Sequence, residues 1–287
     1  MSTQSNDLAS HTDEQRQQWD SVAAGWKKWW PTIESGAHCV SERMLELAGI
    51  QPGHRVLDIA TGIGEPALLT ASRVGAAGRV VATDLSSRML DIARERATAL
   101  GLTNVEFIEA DAERLDFADG SFDAILWRWG VSDLPEPRDT LLAIRRMLAP
   151  HGAFVTAVWE AGPKSRPLAD MAMTVAREMF GLPASESEKA SSPPASAGKM
   201  LEQEMTDAGL SDVRTETMTL TLEFASADDC SEYLADVSPA FSALLSGKSS
   251  AQQTGYRHRL AERLKHYTTA DGVIRIPNVT LCAVGRR

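Results

Sequence analysis

The stretch VLDIATGIGEPA, residues 56–67, decides the fold. An apolar run carries the carboxylate Asp58 near its end, a glycine-rich turn follows, and Pro66 opens a helix, since proline is favoured at the first helical position. Gly62 and Gly64 allow a tight turn and let a ligand come close to main-chain N–H groups. The stretch therefore predicts a strand, a ligand-binding turn and a helix in succession.

The same alternation continues downstream of this turn. Short apolar strand candidates at 55–59, 79–83, 105–108, 122–127 and 152–159 alternate with helix candidates at about 65–74, 86–100 and 138–148. This order, with strands that are apolar throughout, is typical of a parallel sheet covered by helices on both faces. We therefore predict an α/β fold with a doubly wound, mostly parallel sheet.

We predict a disordered tail at 1–12 and a single domain at 13–287. The segments outside the alternating strands and helices are expected to be additions to that domain. Residues 13–48 predict an N-terminal helical lid in which Pro31 ends a first helix, because proline breaks a helix interior. A second helix is expected at about 37–48. The core of the domain is expected at about 50–160 and 199–287, with cap insertions at about 161–198 and 226–270.

Composition narrows the function classes. The 287 residues include 29 Lys and Arg against 39 Asp and Glu, a net charge of -10, which disfavours a nucleic-acid partner because such proteins need a basic face. The 3 cysteines form no CxxC pair, which argues against a disulfide framework and predicts no metal site. Without an apolar leader or a run long enough for a membrane span, the chain is expected in the cytoplasm.

Carboxylates follow three successive strand candidates. Asp58, Asp84 and Asp111 each lie at or just beyond the end of a strand, so they should meet at one edge of the sheet. Asp84 could accept hydrogen bonds from ribose hydroxyls, and Asp111 could accept one from an adenine amino group. Three carboxylates at one edge suit a ligand that carries positive charge and no phosphate, as S-adenosylmethionine does.

Two other readings stay open at this point. Gly62, Gly64 and Ala67 satisfy the spacing of the dinucleotide fingerprint, so an NAD-dependent oxidoreductase is an alternative. Asp58 argues against it, because an acidic group next to the turn would repel a pyrophosphate. A non-catalytic binding protein of the same fold is the second alternative.

The sequence resembles the class I S-adenosylmethionine-dependent methyltransferases, most closely the branch of ubiquinone and menaquinone C-methyltransferases. The resemblance spans about residues 19–160, with a Gly-x-His at 36–38, and its motifs are VLDIATGIG (56–64), GRVVATDLSSRML (78–90), NVEFIEADAERLDF (104–117) and residues 122–154. It implies a seven-stranded sheet whose last strand is antiparallel. Ala60 departs from the family pattern, which often has glycine there.

The resemblance also implies which residues bind the cofactor. Asp58 would orient the ammonium of the methionine part, and Asp84 would hold the ribose. The expected set is completed, in chain order, by Ala60, Thr61, Gly62 and Gly64 around the methionine part, Leu85 and Met89 on the adenine, Asp111 and Ala112 at the adenine amino group, and Trp127 and Arg128 over the methionine tail.

The acceptor side is predicted from aromatic residues. Trp26, Trp29, Trp30 and Trp129 indicate an apolar or aromatic small molecule as the methyl acceptor, because indole rings offer large flat contacts and attract cations. A base is needed only if the nucleophile starts protonated. His38 is the first candidate for a base and Asp133 the second. The sequence also leaves open whether the protein forms a homodimer.

Overall fold

The computed structural model describes residues 2–130, 137–160, 165–183 and 197–287, with only the backbone described for 2–11 and Pro137. Its strands are β1 (Arg55–Ile59), β2 (Arg79–Asp84), β3 (Val105–Glu109), β4 (Phe122–Arg128), β5 (Leu148–Trp159), β6 (Ser211–Phe224) and β7 (Ile274–Arg286). Its helices are α1 (Ser2–Ala48), α2 (Ala67–Val74), α3 (Ser87–Ala99), α4 (Pro137–Met147), α5 (Pro167–Phe180), α6 (Ala197–Asp207), α7 (Ala227–Val237), α8 (Pro239–Ser246) and α9 (Ser250–Leu264), with short 3-10 turns at Ala112–Arg114 and Lys265–Tyr267.

The strands form one seven-stranded sheet in the order β3-β2-β1-β4-β5-β7-β6. Strands β1 to β5 are parallel, whereas β7 is antiparallel to both β5 and β6. The predicted fold class is confirmed. The strand order reverses between β1 and β4, and open α/β sheets bind ligands outside the carboxyl ends of the strands at such a point.

Alternate residues of the central strands are buried on opposite faces of the sheet. Val56 and Leu126 pack in the core shared with α1 and α2, whereas Leu57 and Ile125 pack in the core shared with α4 and α6. All four side chains have 0% exposure. This burial on both faces explains why the strands are apolar throughout rather than alternating with polar residues.

The N-terminal helix differs from the sequence prediction. Helix α1 runs from Ser2 to Ala48 and contains Pro31, so the predicted break at Pro31 was wrong and the backbone has no boundary at residue 12. Proline in a helix interior costs about 3 kcal/mol. Packing on both sides of it offsets this cost, since Trp29 packs with Phe224 and Tyr233 and the buried residues Ile33 and Ala37 pack with Val237.

The last two strands and the C-terminal helices build a wall beyond the sheet. Strand β5 ends its pairing with β7 at Trp159↔Thr280, whereas β6 and β7 stay paired as far as Phe224↔Ile274. Helices α7, α8 and α9 fill 227–264 and share a core with α5 through Leu234, Tyr256 and Leu260. Among the described residues, no helix has the length and apolar character that a membrane crossing requires.

Candidate functional site

The glycine-rich turn between β1 and α2 lies at this switch point. Ala60, Gly62 and Gly64 have positive φ angles of 52, 56 and 105°. A Cβ on Gly64 would come within 2.9 Å of the Leu68 side chain, so the turn also requires glycine for space. Helix α2 begins at Ala67, one residue later than predicted, and Pro66 occupies the preceding position.

Main-chain N–H groups of this turn are already used within the protein. The N–H of Gly62 donates to Asp84 at 2.7 Å, and the N–H of Ala67 donates to Asp58 at 3.0 Å. The N–H groups of Gly64 and Glu65 both donate to the carbonyl oxygen of Thr61. The turn therefore presents few donors to a phosphate, while carboxylate and hydroxyl oxygens surround it.

Asp58 is a buried carboxylate with one unpaired oxygen. Its side chain has 0% exposure, Oδ2 accepts the Ala67 N–H, and Oδ1 has no hydrogen-bond partner. Burial raises the pKa of Asp58 to about 7, because an apolar environment penalises the charged form. The hydroxyl of Thr61, also buried, lies beside this carboxylate and lowers its pKa against the stronger effect of burial. A donor or a cation placed here would satisfy both groups.

Asp84 connects three elements at the carboxyl end of β2. It accepts the N–H of Gly62 at 2.7 Å and the N–H of Ser86 at 2.8 Å, and burial raises its pKa to about 6. Ser86 caps α3 by accepting the N–H of Met89, as its position before the helix predicts. Asp84 is thus not free of protein contacts, yet a carboxylate has about four acceptor positions, so lone pairs remain for ribose hydroxyls.

The predicted adenine side is covered by the first turns of α1. The carboxylate of Asp111 accepts the Glu113 N–H at 3.0 Å and the Thr12 hydroxyl at 3.4 Å, and it caps the 3-10 turn that starts at Ala112. Arg16 Nε donates to the carbonyl oxygen of Leu85 at 3.3 Å. Helix α1 therefore lies across the ends of β2 and β3.

One further contact fixes α1 next to the predicted ribose carboxylate. Asp20 accepts a hydrogen bond of 2.5 Å from the hydroxyl of Ser86, the cap of α3. Met89, in the first turn of α3, is 3% exposed and packs in a cluster with Trp19, Trp26 and Trp30 of α1.

A cluster of charged residues beside the turn adds Glu34, Glu65 and Arg96, which were not predicted from the sequence, to the predicted Arg128. Glu65 pairs with Arg96 at 2.6 Å, and Arg128 lies 3.5 Å from Glu34 and donates to Ser41 at 2.7 Å. The four charged side chains, those of Glu34, Glu65, Arg96 and Arg128, are each 16% exposed or less. Burial, followed by the charge of Glu34, raises the pKa of Glu65. The helical spacing of Trp30, Glu34 and Ser41 in α1 was the available signal.

Trp127 and Arg128 point to opposite faces of the sheet. Arg128 lies on the α1 face, where its charge lowers the pKa of Asp58 against the stronger effect of burial. Trp127 is 1% exposed in the core shared with α4, and its indole N–H has no partner. The structure thus brings Arg128 to Asp58 on the α1 face, whereas the Trp127 indole lies on the other face, near Gly130 and the turn residue Ala60.

The four tryptophans predicted for the acceptor take three different positions. Trp26 and Trp29 dock α1 on α7, donating to the Val237 carbonyl oxygen at 3.0 Å and the Asp236 carboxylate at 2.9 Å. Trp30 lies under the guanidinium of Arg96 at 4.3 Å, with an unpaired indole N–H. Trp129 lies against β7, where its indole N–H donates to Thr280 at 3.0 Å.

The candidate bases have less support from geometry. The ring of His38 is 54% exposed, with Nδ1 3.3 Å from Glu34 and Nε2 3.6 Å from Glu42. Its assignment as a base stays a prediction, and Glu34 connects it to Arg128. Asp133 lies outside the described residues.

Residues 56–152 match the sequence model of a family described as "Methyltransferase domain". Over these residues the chain is therefore similar to methyltransferase domains. The chain is also 38% identical, over 137 residues, to the ubiquinone/menaquinone biosynthesis C-methyltransferase UbiE of Ectopseudomonas mendocina. That match covers 47% of this chain and 54% of the relative, so the chain spans about half the length of the relatives that it matches. The resemblance predicted from the motifs is confirmed.

Solved structures share the fold of this chain at lower identity. A Haemonchus contortus phosphoethanolamine N-methyltransferase 2, in complex with phosphomonomethylethanolamine and S-adenosylhomocysteine, has a TM-score of 0.57 at 19% identity, over 93% of this chain and 57% of that one. The [4+2]-cyclase SpnF has a TM-score of 0.53 at 18% identity, over 88% and 81%. These similarities are similarities of fold only, because the same fold also occurs in a protein named as a cyclase.

Proposed function

We propose that this protein transfers a methyl group from S-adenosylmethionine to a small aromatic or apolar acceptor. The observation that carries this proposal is the turn at 60–67, where N–H groups are used internally while Asp58 Oδ1 is buried without a partner. Such a turn favours a ligand that brings donors and positive charge. S-adenosylmethionine has an ammonium, a sulfonium and ribose hydroxyls, and no phosphate.

The charges around the turn complement this cofactor. Three carboxylates, those of Glu34, Asp58 and Glu65, lie with two guanidinium groups, those of Arg96 and Arg128. With every group ionised, the cluster has one negative charge more than it has positive charges. The cofactor, with two cationic groups and one carboxylate, has one net positive charge, so binding would neutralise the cluster in a region of low dielectric.

The residues that would hold the cofactor follow from these positions. Asp58 and the turn residues Ala60, Thr61, Gly62 and Gly64 would hold the methionine part together with Arg128, and Asp84 would accept the ribose hydroxyls. Leu85, Met89, Asp111 and Ala112 would contact the adenine. When bound, the cofactor supplies a methyl group already activated by the sulfonium. The protein's own contribution is to orient both partners and exclude water, which can lower a barrier by about 7–11 kcal/mol.

The acceptor class is proposed from the relatives and the aromatic residues. The UbiE-named relatives support a quinone precursor methylated on carbon, and Trp30 and Trp129 offer flat apolar contacts near Arg96 and Arg128. His38 would act as a base only for a protonated nucleophile, and a cytoplasmic location is part of this proposal. A non-catalytic binding role is not favoured.

The NAD alternative is not favoured. A pyrophosphate would need free N–H donors at the turn and would lie close to the carboxylates of Asp58 and Glu65. The N–H groups of Gly62 and Ala67 already donate to protein carboxylates, and like charges in a buried site repel strongly.

Titration calorimetry of the full chain with S-adenosylmethionine, S-adenosylhomocysteine and NAD tests the proposal. We expect binding of the first two and none of NAD. Mass spectrometry of reactions with hydroquinone, naphthol and catechol acceptors should then show a gain of one methylene unit. Binding of NAD alone would overturn the proposal, and cofactor binding without turnover of any acceptor would favour a non-catalytic role.

A further inference from the structure

The carboxyl end of β5 holds aromatic and cationic groups that the cofactor does not require. Trp129 and Trp159 stack at 4.6 Å with an interplanar angle of 11°. The guanidinium of Arg128 lies 4.8 Å from the Trp129 ring, and that of Arg166 lies 5.8 Å from the Trp159 ring. A continuous row of groups thus leads from the cofactor side, at Arg128, to Arg166.

The backbone holds these groups in place. Trp129 has a φ of 65°, a conformation that costs a non-glycine residue about 1–3 kcal/mol and is concentrated at functional sites. Its N–H donates to Ala157 at 2.7 Å and its indole N–H donates to Thr280 at 3.0 Å. Ser165 accepts the Val279 N–H at 2.8 Å, which fixes the chain next to Arg166 against β7.

Tyr233 of α7 faces the same region. Its ring contacts Trp29 at 5.7 Å and Phe224 at 5.1 Å, and its hydroxyl makes no hydrogen bond within the described part of the chain. Tyr233 and Trp129 both pack against the cluster formed by Ile33, Ala37 and Val237, which places the Tyr233 ring beside the indole pair. Burial raises the pKa of Tyr233 to about 12, against a smaller opposite effect of the positive charge of Arg166. The phenol is therefore a neutral O–H donor at physiological pH.

Arg166 itself has an unbalanced charge. It is exposed, and among the residues that the structure describes it has no carboxylate partner. Arg128, by contrast, has Glu34. An arginine stacked on an aromatic ring and left without a counter-ion is suited to binding a carboxylate or another planar anion, often through two parallel hydrogen bonds.

We propose that Trp129, Trp159, Arg166 and Tyr233 form the acceptor site and that the acceptor is a planar aromatic molecule bearing an anionic group. The half-buried edges of the stacked indoles would contact the aromatic ring, because the ring faces are covered by each other and by the two guanidinium groups. Arg166 would bind the anion, and the Tyr233 hydroxyl would donate to an oxygen of the acceptor. This inference rests on the proposed function and adds the charge of the acceptor to it.

The test compares two probes that share a ring system, 1-hydroxy-2-naphthoate and 1-naphthol. Their binding to the full chain is followed by tryptophan fluorescence with S-adenosylhomocysteine present. We expect the native protein to bind the naphthoate more tightly, and Arg166→Gln to weaken naphthoate binding about tenfold or more while changing 1-naphthol binding little. Arg166→Lys should restore part of the affinity.

Two further variants complete the test. Tyr233→Phe keeps the ring packing and should weaken naphthoate binding about three- to tenfold. Arg257→Gln removes an exposed charge on α9 and should change neither probe. Equal affinity for both probes, failure of both to bind, or an unchanged naphthoate affinity in Arg166→Gln would overturn the inference. Calorimetry with S-adenosylhomocysteine separates this failure from failure of the proposed function, because it reports cofactor binding alone.

Discussion

The carboxylate of Asp84 accepts the main-chain N–H of Gly62 at 2.7 Å, so the end of β2 holds the glycine-rich turn that follows β1. The same carboxylate accepts the N–H of Ser86, which fixes the start of α3. One side chain therefore positions both main-chain segments between which the cofactor is proposed to bind. In the proposed complex its remaining lone pairs would accept the ribose hydroxyls.

Asp84→Asn is expected to weaken S-adenosylhomocysteine binding about tenfold to a hundredfold. The amide has one acceptor oxygen and cannot serve both backbone N–H groups and the ribose, and hydrogen bonds to charged groups contribute about 1.5–3 kcal/mol each. Titration calorimetry measures the affinity, and a thermal melt should show a lower midpoint because the turn loses a partner.

The matched control is Asp91→Asn, the same change on an exposed carboxylate of α3 that pairs with Arg94. It should bind cofactor like the native protein. An Asp84→Asn variant with native affinity would remove Asp84 from the cofactor site.

Asp58 should release a proton when the cofactor binds. Burial holds its pKa at about 7 without ligand, and a nearby ammonium favours the carboxylate and lowers that pKa. Affinity should therefore rise between pH 5.5 and 7, by up to about tenfold per pH unit. Calorimetry at pH 6 in buffers of different ionisation enthalpy counts the protons released.

The raised pKa of Asp58 affects the stability of the free protein in the opposite direction: stability falls with rising pH, whereas cofactor affinity rises. Between the unfolded pKa of 3.8 and the folded pKa of about 7, the native state binds more protons than the unfolded state. Its contribution to the free energy of unfolding therefore falls as pH rises through this range. Asp58→Asn should flatten the slope and abolish the proton release, and a variant that still releases the proton would assign it to another group.

Much of the sheet could be predicted because its signals are local. Strand β1 has the predicted bounds, since a buried parallel strand shows its burial in consecutive residues. The carboxylates Asp58 and Asp84 were predictable for the same reason, because parallel strands bring their carboxyl ends to one edge.

The contacts made by α1 could not be predicted from local sequence signals. Proline is a local signal for a helix end, and it was overridden by contacts of Ile33 and Ala37 with a helix about 200 residues later in the chain. Glu34 belongs to the site only because α1 crosses the sheet edge at Arg128. A polar residue at a helical spacing has no local property that separates it from a solvated one.

Ala60→Gly should stabilise the protein by about 0.5–1 kcal/mol. Ala60 has a φ of 52°, a left-handed conformation that costs an L-residue about 1–2 kcal/mol, while glycine adds unfolded-state entropy of about 0.4–1 kcal/mol. Urea unfolding measures the difference. Gly62→Ala is the reverse control, because its φ is 56° and no atom lies within 4 Å of the added Cβ. It should destabilise by about 1 kcal/mol, and equal effects of the two changes would contradict strain at Ala60.

The first turns of α1 should act as a cover that must open for the cofactor. Asp20 joins this segment to Ser86 at 2.5 Å, beside Asp84, so Asp20→Asn removes a charge-assisted contact between helix and sheet edge. We expect amide hydrogen exchange in residues 12–25 to become about three- to tenfold faster, and cofactor to dissociate faster. Asp13→Asn is the matched control in the same helix, since Asp13 pairs only locally with Arg16. Bound S-adenosylhomocysteine should slow exchange in this segment of the native protein. If neither the substitution nor the ligand changes the exchange rate, α1 is a fixed part of the fold and not a cover.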